Sequence, residues 1–307
     1  MTLHIKAIDE TRPNFAARVD GVNIANGVDA QTARQLEDAI DQFGVLVFSD
    51  QHVTDEQQYA FSQHFGTMES ATGDIAKVAD RRLPMTMNDI SNLDKSGNVV
   101  ARDDRRRLFG LGNMLWHSDS SFKATPAKFS LLSARQIPGT GGNTEFADMR
   151  AAWDTLDADL QAECEALVTE HSQLYSRGSL GFDQFTEAER EKWRPVLQRL
   201  IRTHPRTGRR SLYLSSHIGG IVDWPVPEAR MFIRDLTEHA TQRQFVYAHN
   251  WCPLDLVMWD NRVTMHRARR YNHTEVRDMR RTTVACEEPT VSAQPAITHA
   301  ASANRVT

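Results

Sequence analysis

Short apolar runs recur along the chain, and their lengths constrain the fold more than any other feature. Val45-Leu46-Val47-Phe48 is one such run, and residues 129–137, 245–249, 255–259 and 281–285 are others, rich in Val, Phe, Leu and Thr. Runs of this length read as β-strands; helices need more residues. Glycine and proline close several of them. Pro138-Gly-Thr-Gly-Gly142 ends the second, a further strand is expected at 143–147, and Pro205-Arg-Thr-Gly208 joins 200–204 to 211–214 as a hairpin.

Helical spacing is confined to fewer places. Ala33, Leu36, Ala39, Ile40 and Phe43 share one face of a helix expected over 32–43, and Gly44 stands where a C-cap would. Thr54-Asp-Glu-Gln57 is a capping box opening a second helix that runs to Gly66. Residues 149–167 and 226–242 also read as mainly helical. Strand and helix alternate only up to residue 66, which argues against a doubly wound sheet. The expected class is α+β: a sandwich or barrel of strands carrying helices at one side. Neither G-x-G-x-x-G after a strand nor G-x-x-x-x-G-K-[ST] occurs, so no nucleotide-binding fingerprint is present.

Residues 67–114 and 171–192 show no period. Irregular segments this long inside a compact domain are usually functional, and the first is expected to pass over an active site. One domain is expected over 1–289, followed by a disordered tail over 290–307, where Ser, Ala, Thr and Pro dominate.

Composition excludes some partners. The formal net charge of −4, with acidic residues around Arg105-Arg106-Arg107, leaves no electrostatic footprint for nucleic acid. No 18-residue apolar window exists to span a membrane, and Met1 to Lys6 begin no apolar signal core. A cytoplasmic protein is expected. The three cysteines form no C-x-x-C, consistent with a reducing compartment and no disulfide frame.

The stretch Leu115-Trp-His-Ser-Asp-Ser-Ser-Phe122 carries an H-x-D pair. In extended backbone residues i and i+2 project to one face, so His117 and Asp119 can grip one ion while Ser118 points away. With His266, in Met258 to Arg267, they make two imidazoles and one carboxylate, a set that suits Fe(II) and leaves positions open for small molecules. The pair alone says little, because a chain with 12 His produces such a spacing by chance.

Further matches add weight. Residues 39–48 and 113–122, the stretch Pro138-Gly-Thr-Gly-Gly-Asn-Thr-Glu-Phe-Ala-Asp-Met-Arg150, residues 256–267 and Arg277-Asp-Met-Arg-Arg-Thr-Thr283 occur together in order. In them the chain resembles the taurine/2-oxoglutarate-dependent dioxygenase family, most of all its 2,4-dichlorophenoxyacetate (aryloxyalkanoate) dioxygenases, from about residue 15 to 289. The resemblance implies a double-stranded β-helix, or jelly roll, with flanking helices. It implies Fe(II), 2-oxoglutarate as co-substrate and O₂, with His117, Asp119 and His266 as metal ligands. Thr144 and Arg277 match the pair that holds the distal carboxylate of 2-oxoglutarate. A guanidinium can meet a carboxylate with two hydrogen bonds, and a hydroxyl can satisfy a remaining lone pair. Arg281 is placed near the inner carboxylate and the substrate anion.

The substrate expected first is a small anionic aryl compound, an aryloxyacetate such as 2,4-dichlorophenoxyacetate. It would be degraded to a phenol and glyoxylate, with succinate and CO₂ from the co-substrate. Candidate substrate contacts are Asn113, Ser120, Phe122, Tyr175 and His217, and Phe182 could add to an aromatic wall. Taurine-type relatives hold a sulfonate with a His in the loop after the second helix, and residues 67–90 contain none. The same chemistry on another alkylsulfonate or a sulfate ester stays open. So do a zinc hydrolase and a non-catalytic jelly-roll binding module, although zinc hydrolysis would not need Thr144, Arg277 and Arg281. A homo-oligomer is expected.

Overall fold

The computed structural model describes residues 3–71, 73 and 75–292, and the tail expected over 290–307 falls outside them from 293 onward. The main sheet has seven strands in the spatial order His4–Ala7, Ala17–Asp20, Val45–Phe48, Leu256–Asp260, Ala127–Gln136, Asp278–Ala285 and Asn88–Asp89. Every neighbouring pair is antiparallel except Ala17–Asp20 with Val45–Phe48. A three-stranded antiparallel sheet places Thr144–Asp148 between Val246–His249 and Thr264–Ala268. A third sheet is formed by Ile218–Ile221, Val168–His171 and Val196–Arg199. The expected hairpin is present as Ile201–Thr203 with Arg210–Leu212.

The unbroken apolar runs belong to strands buried on both faces. Leu46 and Phe48 join Leu256, Met258, Phe129 and Leu131 against the helix Ala30–Phe43, which contributes Leu36 and Ile40. Val45 and Val47 point the other way with Val257 and Trp259, toward Phe146 of the smaller sheet. The Phe146 and Trp259 ring centroids are 5.5 Å apart, so the two sheets pack face to face. Phe146 is wholly buried, a burial that contributes about 1.5–3 kcal/mol. Its neighbour Ala147 faces a separate core, where Leu212, Ile218 and Met265 meet Ile233 and Leu236 of the helix Val226–Ala240.

The two N-terminal helices end as their sequences dictate. Asp29 caps the first, and Gly44 closes it at φ 68°, a conformation that costs glycine little. Thr54 and Gln57 form the reciprocal capping box of Asp55–Gln63. Gln58, on that helix, is buried and stitches it to the sheet: its amide donates to the carbonyls of Leu131 and Arg280 and accepts from Ser133 Oγ.

The two segments without period contain short helices. Arg105–Gly110, capped by Asp104, lies in the first, and Gln173–Gly178 and Glu187–Lys192 lie in the second. Six residues span less than two turns, too few for an apolar period to register. The first segment is anchored to the main sheet by Arg82, which bridges Asp89 and Asp278 at 2.7 Å each. Asn92 anchors it again by accepting from the backbone N–H of Arg277 at 2.8 Å. Residues 149–167 divide into Met149–Asp154 and Ala158–Glu165, separated where Asp157 caps the second helix. Among the described residues no helix is long and apolar enough to cross a membrane.

Candidate active site

His117 lies in a single antiparallel bridge with His266, each backbone N–H donating to the other's carbonyl at 2.9 Å. The segment is extended but is no full strand. Trp116 is buried on one side of it. Ser118 turns inward and donates to the carbonyls of Leu214 and Thr264. The chain then leaves through Ser120, at φ 53°. This left-handed residue ends the extended run just after Asp119, and the backbone N–H of Asp119 donates to Asn261 Oδ1 at 3.1 Å.

The three side chains converge. His117 Nε2 is 3.8 Å from Asp119 Oδ1, His266 Nε2 is 3.7 Å from Asp119 Oδ2, and the two imidazole centroids are 4.2 Å apart. All three residues are buried. His117 Nδ1 is 2.8 Å from the carbonyl of Leu115. A carbonyl only accepts, so Nδ1 carries the proton and Nε2 presents a lone pair to the site. Burial pushes the His117 imidazolium down to about 4 against the pull of Asp119. His266 is likewise held well below its ordinary value by burial and by His117. Both rings are therefore neutral at pH 7, the state that ligates a metal.

Asp119 is held in the opposite state. Burial works against its charge, and the Arg281 guanidinium, the two imidazoles and the Ser130 hydroxyl outweigh it, bringing the carboxyl down to about 2. Ser130 Oγ donates to Oδ2 at 2.7 Å, Arg281 donates to Oδ1, and Asn261 ties Ser130 and the Asp119 backbone together. Two neutral nitrogens and one ionised oxygen, each oriented by an outer hydrogen bond or a backbone pairing, fit a divalent transition metal such as Fe(II).

A second group, Asp41, His204 and Asp260, also comes within ligand distance. Its members already have other protein partners. Arg262 donates to both Asp260 oxygens, and His204 Nδ1 accepts from the backbone N–H groups of Arg206 and Thr207. This cluster is a buried ion pair that holds the hairpin to the sheet.

The triad opens into a cavity of about 730 Å³, and His117 and Asp119 are in its lining. Among the described residues, ten Arg or Lys side chains and four carboxylates line it. The chain's net charge is −4, so this is a local concentration of positive charge, and it favours small anions. Arg277 and Arg281, four residues apart on or beside one strand, both line the cavity. Arg277 is buried, donates to the Ile90 carbonyl at 3.1 Å, and has no carboxylate partner among the described residues. Thr144 is buried at the start of its strand, where its hydroxyl accepts from Trp251 Nε1 at 3.0 Å.

Of the expected substrate contacts, Asn113, Ser120, Phe122 and His217 line the cavity. Phe122 stands edge-on to His217, with ring centroids 5.0 Å apart. Tyr175 lies off the lining, packed on Gly219 and under the guanidinium of Arg230 at 4.6 Å. Phe182 packs behind it as well, against Phe109 and Phe185. Ser120 donates its hydroxyl to Glu69, which also pairs with Lys123. Two of the cavity residues without a signal in the sequence bear on the site's chemistry. Phe109 and Arg177 come from six-residue helices in the two segments without period, where neither spacing nor motif marks them.

Residues 7–283 match the family described as taurine catabolism dioxygenase TauD, TfdA family. The chain belongs to this family. Within it, the chain is 43% identical over 271 residues to an alpha-ketoglutarate-dependent 2,4-dichlorophenoxyacetate dioxygenase of Cupriavidus pinatubonensis, covering 88% of this chain and 94% of that one. It is 37% identical over 275 residues to an (S)-phenoxypropionate/alpha-ketoglutarate-dioxygenase of Sphingobium herbicidovorans, covering 86% and 90%. Among solved structures, AAD-2 in complex with Mn(II) and N-oxalylglycine superposes with a TM-score of 0.92 at 56% identity, covering 95% of this chain and all of that one. The main sheet and the cavity thus sit in a fold shared by family members.

Proposed function

We propose that the protein is an Fe(II)- and 2-oxoglutarate-dependent dioxygenase that hydroxylates a small anionic aryl substrate, an aryloxyacetate such as 2,4-dichlorophenoxyacetate. The observation that carries the reading is the convergence of His117, Asp119 and His266 at a cavity whose lining includes His117 and Asp119 and carries ten Arg or Lys side chains against four carboxylates. The architecture is read as a double-stranded β-helix, with the seven-stranded sheet and the Thr144–Asp148 sheet as its two faces.

His117, Asp119 and His266 would hold the iron, which with 2-oxoglutarate and O₂ supplies the oxidising chemistry when bound. Arg277 offers a buried guanidinium to the distal carboxylate of 2-oxoglutarate, and the Thr144 hydroxyl is assigned its second hydrogen bond. Arg281 keeps Asp119 ionised and aimed. The cationic lining draws a carboxylate substrate inward, and Phe122 and Phe109 give an aryl ring apolar contact. The enclosing segments exclude water from the C–H bond to be attacked. Hydroxylation falls on the carbon between ether oxygen and carboxylate. The hemiacetal product releases a phenol and leaves glyoxylate, while 2-oxoglutarate is converted to succinate and CO₂.

The test is to compare phenol release from phenoxyacetates with succinate release driven by alkylsulfonates and alkyl sulfates. Phenol with equimolar succinate supports the reading. Higher kcat/KM on the alkyl compounds, with no phenol from phenoxyacetates, overturns the substrate assignment and leaves the dioxygenase reaction standing.

A further inference from the structure

Arg177, like Arg277, is a buried cavity cation without a carboxylate partner among the described residues. Its relative exposure is 5%. One terminal nitrogen donates to Asn113 Oδ1 at 3.3 Å and the other to Ser176 Oγ at 3.2 Å, both neutral acceptors at long range. Its Nε is buried and has no hydrogen-bond partner. The guanidinium lies 4.8 Å from the centre of the Phe109 ring. No carboxylate among the described residues forms an ion pair with it. A buried guanidinium left this way is costly unless an anion completes it.

The backbone makes room for this arrangement. A Cβ added to Gly112 would lie 2.3 Å from Arg177 Cζ, so the glycine is what lets the guanidinium pass close to the chain. Ser176 Oγ is also 2.8 Å from His217 Nδ1, and the His217 ring is 6.1 Å from the ring of His117. The guanidinium thus reaches the triad through two intervening side chains. Burial brings its pKa down to about 10, with Asp119 alone opposing. The other two deep arginines differ. Arg281 is engaged by Asp119, and Arg277 is the one assigned to 2-oxoglutarate.

We infer that Arg177, with Asn113 beside it, is the anchor for the substrate's carboxylate, and that Arg281 serves the Asp119 ligand instead. This rests on the reading of the substrate as a small organic anion. An aryl ring attached to that carboxylate would then lie against Phe122 and Phe109.

The experiment measures binding of 2,4-dichlorophenoxyacetate and of its neutral counterpart 2,4-dichlorophenoxyethanol, by calorimetry. The protein is loaded with Mn(II) and N-oxalylglycine so that no turnover occurs. Arg177→Gln should weaken the acid by about 30-fold or more, the loss expected when one partner of a buried charge pair is removed. It should leave the alcohol within about threefold of wild type. Asn113→Asp keeps the packing and gives Arg177 a permanent carboxylate, so it should produce the same selective loss even if Arg177→Gln folds poorly. Equal loss of acid and alcohol overturns the inference, since Arg177 would then only shape the wall. Unchanged acid binding in both variants, with the loss appearing in Arg281→Gln, overturns it in favour of Arg281. If the wild type binds alkyl sulfates and no aryloxyacetate, the substrate reading fails by itself. The same variants measured on the sulfate and its parent alcohol then decide Arg177.

Discussion

The guanidinium of Arg281 donates to Oδ1 of Asp119, 162 residues earlier in the chain and between the two histidines. Its positive charge is the largest influence favouring ionisation of a carboxylate that burial alone would keep protonated. Arg281→Gln should therefore weaken Mn(II) or Fe(II) binding by about 10–100-fold, the usual effect of removing an outer partner of a ligand. Metal titration of the two proteins checks this. Equal affinities would mean that Ser130 and the imidazoles suffice to orient Asp119.

Replacing the ligands themselves should be more severe. His117→Ala, Asp119→Ala and His266→Ala are each expected to fold and to release no substrate-dependent succinate. Chelation of the wild type should do the same, with recovery on adding Fe(II). A variant that keeps near-normal turnover, measured beside its circular dichroism, removes that residue from the triad.

Arg277 and Thr144 should separate by magnitude. Arg277→Ala removes a buried charge from a bound carboxylate and should raise the KM for 2-oxoglutarate by the equivalent of about 2–5 kcal/mol. Thr144→Ala removes one neutral hydrogen bond, about 1 kcal/mol. Trp251 already donates to the Thr144 hydroxyl, so Trp251→Phe should shift that KM less than either. Equal effects of the first two, or a change confined to the KM of the aryl substrate, contradict the assignment.

Arg82 offers a test of how the covering segment is held. It bridges Asp89 and Asp278, and Arg82→Gln should cost about 1–3 kcal/mol at pH 7. Burial works against the Asp278 charge, and the hydrogen bonds from Arg82 and Arg280 outweigh it, so its folded pKa lies below the ordinary value. A carboxylate depressed in this way adds stability above its unfolded pKa, near 3.9, and loses it as pH falls through the folded value. The deficit of Arg82→Gln should thus shrink between pH 7 and about pH 3. Urea unfolding at both pH values measures it. A deficit independent of pH would assign the cost to packing of the long side chain.

What the sequence determined by itself is local or additive. The apolar runs at 45–48 and 255–259, the cap at Gly44 and the box at Thr54 and Gln57 depend on neighbours within one turn or one strand, so they are readable without a fold. The ligand pair His117 and Asp119 is two residues apart, and His266 and Arg277 follow from matching stretches taken in order. The tertiary structure decided the rest. It extended the last strand back to Asp278 through pairing with Ala127–Gln136 and made strands of Val168–His171 and Val196–Arg199, whose own residues alternate weakly. It buried His204 between Asp41 and Asp260, brought together from three separate parts of the chain. It also moved Tyr175 out of the cavity and Arg177 into it from the same six-residue helix. Two positions apart on a helix is about 200° of rotation, so one side chain faces the site and the other faces away. Which is which depends on where the short helix docks, where Arg177 passes Gly112 and Ser176 meets His217, rather than on any pattern within the helix.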